Sequence, residues 1–265
     1  MFIAALDQSG GSTPNALKNY GVECTEDNMM DLMHQMRTRV VQSEAFLASK
    51  IDGVILFRDS LERGLGSWLH DKGFKVFAKV DVGMNPDGSL KDFNLDWLDN
   101  YPFLFGTKMR SVVHYTDTNY IRMIIMQQLM YAYRIKQKGL TPIVEPEVPI
   151  THSKRNLIEI EIESTLEKCD LTGIICKLTI PATTMRYQNL NCSNLVALSG
   201  GFSTDEACDQ LRHRKHMGAS FSRALLERLH FDQTDEEFNN TLSANISHIR
   251  SACSVSRTTP VMRNG

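Results

Sequence analysis

The chain has 265 residues, of which 42% are hydrophobic and 23% charged, and its formal net charge is −2. That length and balance suit one large globular barrel or two smaller domains, and the near-neutral charge argues against a dedicated nucleic-acid or membrane-surface protein. No apolar run approaches the roughly 20 residues that cross a bilayer, the start MFIAALDQ lacks the basic region of a secretory signal, and six cysteines without a CxxC pair read as thiols of a reducing cytoplasm.

Eight short apolar runs, each bounded by glycine, proline or polar residues, read as strands. The first is FIAALD (2–7), followed by the glycine- and serine-rich QSGGS (Gln8 to Ser12). Met29, Leu32, Met33, Met36 and Val40 then fall at the i, i+3, i+4 spacing of one packed helix face. DGVILF (52–57), KVFAKVD (75–81) and FLFGTKMR (103–110) are strands two to four. A long amphipathic helix over Asn119 to Lys138 precedes TPIVEPEV (141–148), and TGIICKLTI (172–180) and NLVALSGG (194–201) come next. Ser203-Thr-Asp-Glu206 opens a helix as a capping box. RHRKH (Arg212 to His216) continues that helical pattern as a solvated face, MGASFSRA (217–224) is the eighth strand, and Thr234-Asp-Glu-Glu237 caps a further helix.

With no internal repeat and no linker, eight strand–helix units predict a single α/β domain, a TIM (β/α)8 barrel over residues 1–253. A doubly wound open sheet is the alternative from pattern alone. The polar segment 254–265 is expected to be a mobile tail. A barrel makes a demand of the sequence: functional residues gather at the C-terminal ends of several strands.

They do. Residues two apart in a strand point the same way, so Lys79 and Asp81 share a face, as do Lys108 and Arg110, and Glu145 and Glu147. Asp7 ends the first strand, and Lys177 lies late in the sixth, between Ile175 and Thr179 on its own face. Taken singly, each charge is an exposed strand end. Taken over five strands, the pattern places three lysines, an arginine and four carboxylates in one barrel mouth, where strands covered on both faces are otherwise nearly apolar.

Burial and neighbouring cations both disfavour an ammonium. A neutral lysine amine adds to a ketone to give a Schiff base, whose protonated imine stabilises a carbanion on the adjacent carbon as an enamine. Lys177 is the residue placed for that chemistry, and the neighbouring carboxylates supply the proton transfers. Leu198-Ser-Gly-Gly201 after strand seven, with Arg223 at the next strand end, predicts a phosphate site. The Gln8 to Ser12 loop offers a second anion site, so a substrate phosphorylated at both ends is expected. The eight histidines and six cysteines show no metal-ligand spacing. No metal and no cofactor are expected.

ALDQSGGSTP, AKVD-x-G, FGTKMRS, PIVEPEV, CKLTIP, VALSGG and SFSRAL occur in an order and spacing that resemble class I fructose-bisphosphate aldolases, most nearly their compact bacterial-type branch. The resemblance runs from Phe2 to about Cys253. It implies a cytoplasmic TIM barrel that reversibly cleaves fructose 1,6-bisphosphate to dihydroxyacetone phosphate and glyceraldehyde 3-phosphate, in glycolysis and gluconeogenesis. By resemblance, Lys177 is the Schiff-base lysine, Glu145 the main general acid/base and Glu147 its helper. Asp7 and Lys108 support carbinolamine chemistry and carbon–carbon cleavage. Arg110 and Lys79 line the substrate side of the cleft, and Ser9 belongs to the second phosphate site. Ser199, Gly200, Gly201 and Arg223 hold the phosphate nearer the imine. Members are often homo-oligomers, which extends to this chain as an expectation.

The chain departs from that family at three places. It begins inside the first strand where members carry a helical segment, so weaker closure of the barrel bottom, or a trimmed start, is expected. Val82 stands where members commonly have a second lysine, which removes a cation near the cleft and is expected to weaken substrate binding without abolishing imine chemistry. The tail after Cys253 is unlike the family's and receives no role. The alternatives are a Schiff-base aldolase or transaldolase acting on another sugar phosphate, and a weakened paralogue serving as a scaffold.

Overall fold

The computed structural model describes residues 1–253, so the segment 254–265 expected as a tail lies outside the described residues. All eight expected strands form: β1 (Ile3–Leu6), β2 (Gly53–Leu56), β3 (Lys75–Lys79), β4 (Gly106–Val112), β5 (Thr141–Glu147), β6 (Ile175–Thr179), β7 (Asn194–Leu198) and β8 (Gly218–Ala219). They pair in parallel in sequence order. The ring is closed between β8 and β1 by a parallel bridge from Phe2 to Ala219, by the Ala219 N–H donating to the Met1 carbonyl (3.0 Å) and by the Ala5 N–H donating to the Phe221 carbonyl (3.0 Å). These backbone contacts of the first residues join β1 directly to β8. The result is a TIM barrel.

Strand alternation divides the core in two. Ile3, Ala5, Ile55, Phe77, Ile143, Ile175 and Val196 form one cluster inside the barrel. Their neighbours one residue away, such as Ala4, Val54, Val76, Val144 and Cys176, belong to the larger layer between strands and helices. In that layer lie α1 (Thr13–Asn19), α2 (Met29–Gln42), α3 (Arg58–Glu62), α4 (Leu65–Asp71), α5 (Thr118–Gln137), α6 (Arg155–Leu166), α7 (Thr204–Arg212), α8 (Arg223–Leu226) and α9 (Asp235–Ala252). On α2, Met33, Met36 and Val40 are buried, with Met29 and Leu32 packed against them. Both capping boxes form, Ser203 with Glu206 on α7 and Thr234 with Glu237 on α9.

The expectation of eight strand–helix units needs correcting. Between β3 and β4 only a 3₁₀ turn forms (Asp96–Asn100), and the β6–β7 crossing has no helix. That second crossing, residues 180–193, is built of turns and bends. Side chains from α6 hold it instead: the Glu159 carboxylate accepts the Ala182 N–H (2.8 Å) while pairing with Arg155 (2.5 Å), and Glu163 accepts the Tyr187 N–H. RHRKH is also different from expectation. The helix stops at Arg212, and Arg214 is buried, donating to the carbonyls of Pro181 and Gln210 (both 2.6 Å). A residue read as solvated thus pins the helix-free crossing.

Candidate active site

The C-terminal ends of the strands open into a cavity of about 1370 Å³. Of the residues expected at the site, all except Gly200 line it. Four of the charged ones lie two residues beyond a position of the interior cluster, so the pleat aims them inward. Asp7 follows Ala5, Lys79 follows Phe77, Glu145 follows Ile143 and Lys177 follows Ile175.

Glu145 is the centre of the arrangement. One carboxylate oxygen, Oε1, lies 3.1 Å from Lys177 Nζ, and the other, Oε2, 2.9 Å from Lys108 Nζ. Lys108 Nζ also lies 2.6 Å from Asp7 Oδ2. Glu145, Lys108 and Lys177 are only 3%, 3% and 4% exposed, so these attractions are little screened by water. Burial by itself raises a carboxyl pKa. For Glu145 the charges of Lys108, Lys177 and Arg110 outweigh burial and lower it. For Asp7 burial is likewise overcome, by Lys108, Lys177 and Lys79, and its carboxyl falls well below the usual range. Burial opposes the Lys108 ammonium, yet Asp7 and Glu145 raise its pKa above the ordinary lysine value. The surroundings of Lys177 therefore differ from the cationic setting expected: its ion-pair partner is a carboxylate, and the second lysine lies on the far oxygen of that carboxylate.

A second layer of pairs frames this centre. Lys79 Nζ donates to Asp81 Oδ1 (2.7 Å) and to the Asp81 carbonyl (2.8 Å). The other Asp81 oxygen accepts the Arg110 N–H (3.2 Å), so Asp81 joins the ends of β3 and β4. Arg110 Nε donates to Glu147 Oε2 (2.6 Å). Burial opposes the Arg110 charge, but the bond to Glu147 together with its negative charge raises the guanidinium pKa further. Gln128 was not expected from sequence. It is buried on α5, and its side-chain oxygen accepts the Glu145 N–H (2.7 Å). Its spacing was a signal, four residues from both Ile124 and Ala132 on the packed face.

The two loops expected to bind anions both border the mouth, with one change from expectation. β8 ends at Ala219, and Arg223 opens the short α8 rather than ending a strand. The physical cause is the seam: beyond Ala219 the chain turns to give the Phe221 carbonyl to β1. A Cβ on Gly201 would lie 3.5 Å from Arg223 Nη1, which puts the guanidinium beside the loop after β7. Gly200 and Gly201 have φ of 61° and 117°, and a Cβ on Gly200 would meet Ile150 Cγ2 at 2.7 Å, so this turn requires glycine. The first N–H groups of α7 are already engaged, Ser203 with Glu206 (2.9 Å) and Thr204 with Glu227 (2.7 Å). The helix start therefore leaves these two donors no part in holding an anion, and the groups left facing the cavity are the loop and Arg223. Val82 is exposed at the rim. Among the described residues no three His, Cys, Asp or Glu side chains converge as metal ligands.

Fold and site together define a TIM-barrel enzyme with a buried amine at the mouth, held between carboxylates. No family model matches the chain. It is 40% identical to the class 1 fructose-bisphosphate aldolase of Clostridium acetobutylicum over 279 aligned positions, covering 95% of this chain and 94% of that protein. The barrel superposes on the fructose-bisphosphate aldolase of Plasmodium falciparum with a TM-score of 0.70 at 20% identity, covering 95% of this chain and 89% of the other. An archaeal fructose 1,6-bisphosphate aldolase gives a TM-score of 0.59 at 10% identity, with 94% and 93% covered; these two likenesses concern the fold. The chain belongs to the class 1 fructose-bisphosphate aldolase family.

Proposed function

We propose that this chain cleaves fructose 1,6-bisphosphate reversibly to dihydroxyacetone phosphate and glyceraldehyde 3-phosphate through an imine on Lys177. The observation that carries the roles is the Glu145 carboxylate bridging Lys177 and Lys108, all three side chains being almost fully buried. Glu145 takes a proton from the Lys177 ammonium at Oε1, and the free amine adds to the substrate ketone carbon. Lys108 supports the carbinolamine oxygen, which leaves as water once Glu145 returns the proton. The protonated imine then accepts the electron pair of the breaking C3–C4 bond as an enamine. A base removes the proton of the C4 hydroxyl, and Asp7 is held as an anion for that step. Glyceraldehyde 3-phosphate departs; protonation of the enamine and hydrolysis of the imine release dihydroxyacetone phosphate and restore Lys177.

Glu147 assists Glu145 from the next inward position of β5 and, with Arg110 and Lys79, shapes the substrate side of the cleft. Ser199, Gly200, Gly201 and Arg223 hold the phosphate nearer the imine, and Ser9 the farther one. A cytoplasmic location fits such a substrate, and among the described residues no helix is long and apolar enough to cross a membrane. Borohydride trapping with dihydroxyacetone phosphate, followed by peptide mass mapping, tests the proposal. A stable adduct on Lys177 is expected. Folded protein that gives no adduct, or one on another lysine, overturns it.

A further inference from the structure

The loop after β1 has little packing of its own. Gly10 and Gly11 are exposed, and nothing lies within 4 Å of a Cβ built on either. Its internal bonds are local, the Ser12 hydroxyl donating to the Ser9 carbonyl (3.0 Å) and accepting the Ser9 N–H (3.2 Å), and the Thr13 N–H donating to the Gly10 carbonyl. The position of this loop is therefore decided at its root, Gln8. Gln8 is gripped from two sides. Its side-chain amide donates to Ser222 Oγ (2.7 Å), one residue before Arg223, and its carbonyl accepts from Arg37 Nη2.

Arg37 is 0% exposed on α2, and its other terminal nitrogen, Nη1, donates to Ser60 Oγ on α3 (3.0 Å). Among the described residues no carboxylate lies within 4.0 Å of it, burial outweighs the more distant charges of Asp7 and Asp59 and lowers its pKa, and its Nε is buried without an acceptor. A buried guanidinium without an ion pair is costly, and an apolar side chain would join α2 to α3 more cheaply. What an apolar side chain cannot do is hold the Gln8 carbonyl.

We propose that Gln8 is a positioning residue that sets the distance between the two anion-binding loops, and that Arg37 fixes Gln8 for this task. The chain of contacts runs from Ser60 and Arg37 through Gln8 to Ser222 and then to Arg223 beside Gly201. It links the loop after β1 to the loops after β7 and β8 without touching the reacting carbons. A ligand with a phosphate at each end must satisfy both loops at once, so a change in their separation weakens its binding. A ligand with one phosphate, held on the imine side, has no such requirement. The clamp thus selects for bisphosphorylated ligands by length. This inference rests on the aldol reading given above.

The experiment compares two ligands on the full chain. KM for fructose 1,6-bisphosphate cleavage is measured alongside the dihydroxyacetone phosphate concentration that half-saturates borohydride trapping. Gln8→Ala is expected to raise the first at least about tenfold and to leave the second within about threefold. Arg37→Met is expected to shift the same ratio in the same direction, and Arg37→Lys to restore part of it, which a packing role alone would not produce. If both quantities move equally in Gln8→Ala, or neither moves, the clamp is overturned. If wild-type protein gives no adduct on Lys177, the aldol reading itself fails, a result that does not depend on Gln8.

Discussion

The inside of the barrel has two halves made by the same strands. Toward the strand N-termini, Ala5, Phe77, Ile143 and Ile175 fill the interior with hydrocarbon. One pleat further on, the same strands present Asp7, Lys79, Glu145 and Lys177. Backbone, pairing and twist are continuous across the boundary, so only side-chain chemistry changes. The lower half loses water to apolar contact, the main favourable term in folding. The upper half removes charges from water, which opposes folding unless each finds an opposite charge. The mouth meets that condition by interleaving lysines and carboxylates, and the residual electrostatic tension holds Asp7 and Glu145 as anions beside Lys108. Stability is thus concentrated below and chemistry above, about 7 Å apart along a strand.

That division can be broken by exchanging consequences. Lys177→Met should reduce cleavage at least about 10⁴-fold, since the other lysine beside Glu145, Lys108, is held as an ammonium by two carboxylates, while the thermal unfolding transition stays cooperative. A variant keeping a tenth of wild-type activity, measured by coupled assay, would show that the upper half does not depend on this lysine. Phe77→Ala tests the other direction. Removing a ring that is fully buried inside the barrel should cost about 3–5 kcal/mol in denaturant unfolding, with kcat per folded molecule within about threefold of wild type. A large loss of kcat in folded Phe77→Ala protein would mean that the two halves are not separable.

The smallest effect sharpens the comparison through pH. Asp7 and Glu145 have folded pKa values below their ordinary ones, so below that ordinary range the unfolded chain binds more protons than the folded one. Their stabilising contribution is complete above about pH 5 and lost as pH falls through about 4 and lower. Lys108 has a raised folded pKa; its contribution is complete below the ordinary lysine value near 10.4 and lost only in stronger alkali. Stability should be flat between those limits as far as these groups decide it. Asp7→Asn should flatten the acid limb by up to about 1.4 kcal/mol per pH unit, the slope for one proton. Acid limbs of equal slope in wild type and variant would place the depressed carboxylates elsewhere.

How far the sequence could be read follows the same physics. Strand alternation is local, so the inward face of β3 to β6 and its charges were legible from residue spacing, and so were the packed stripe of α2 and both capping boxes. Arg37 was legible in part, standing four residues after Met33 and three before Val40, on the face that packs; a charge there is a conflict that calls for a partner. In RHRKH charge does not mean exposure, because Arg214 donates to a carbonyl of a crossing distant in the chain. The helix-free β6–β7 connection was hidden for the same reason, since its backbone donors are met by Glu159 and Glu163 of α6.

The sequence by itself determined the eight strands and the set of groups at their C-terminal ends. Those follow from periodicity and residue type, which act over a few residues. Tertiary structure alone decided which lysine meets which carboxylate, that Glu145 stands between two of them, and that Gln8 ties the loop after β1 to the loop after β8. Such partners are up to 214 residues apart in the chain. Only closing the ring brings them within hydrogen-bond reach, because a contact of about 3 Å depends on the register and tilt of every strand between.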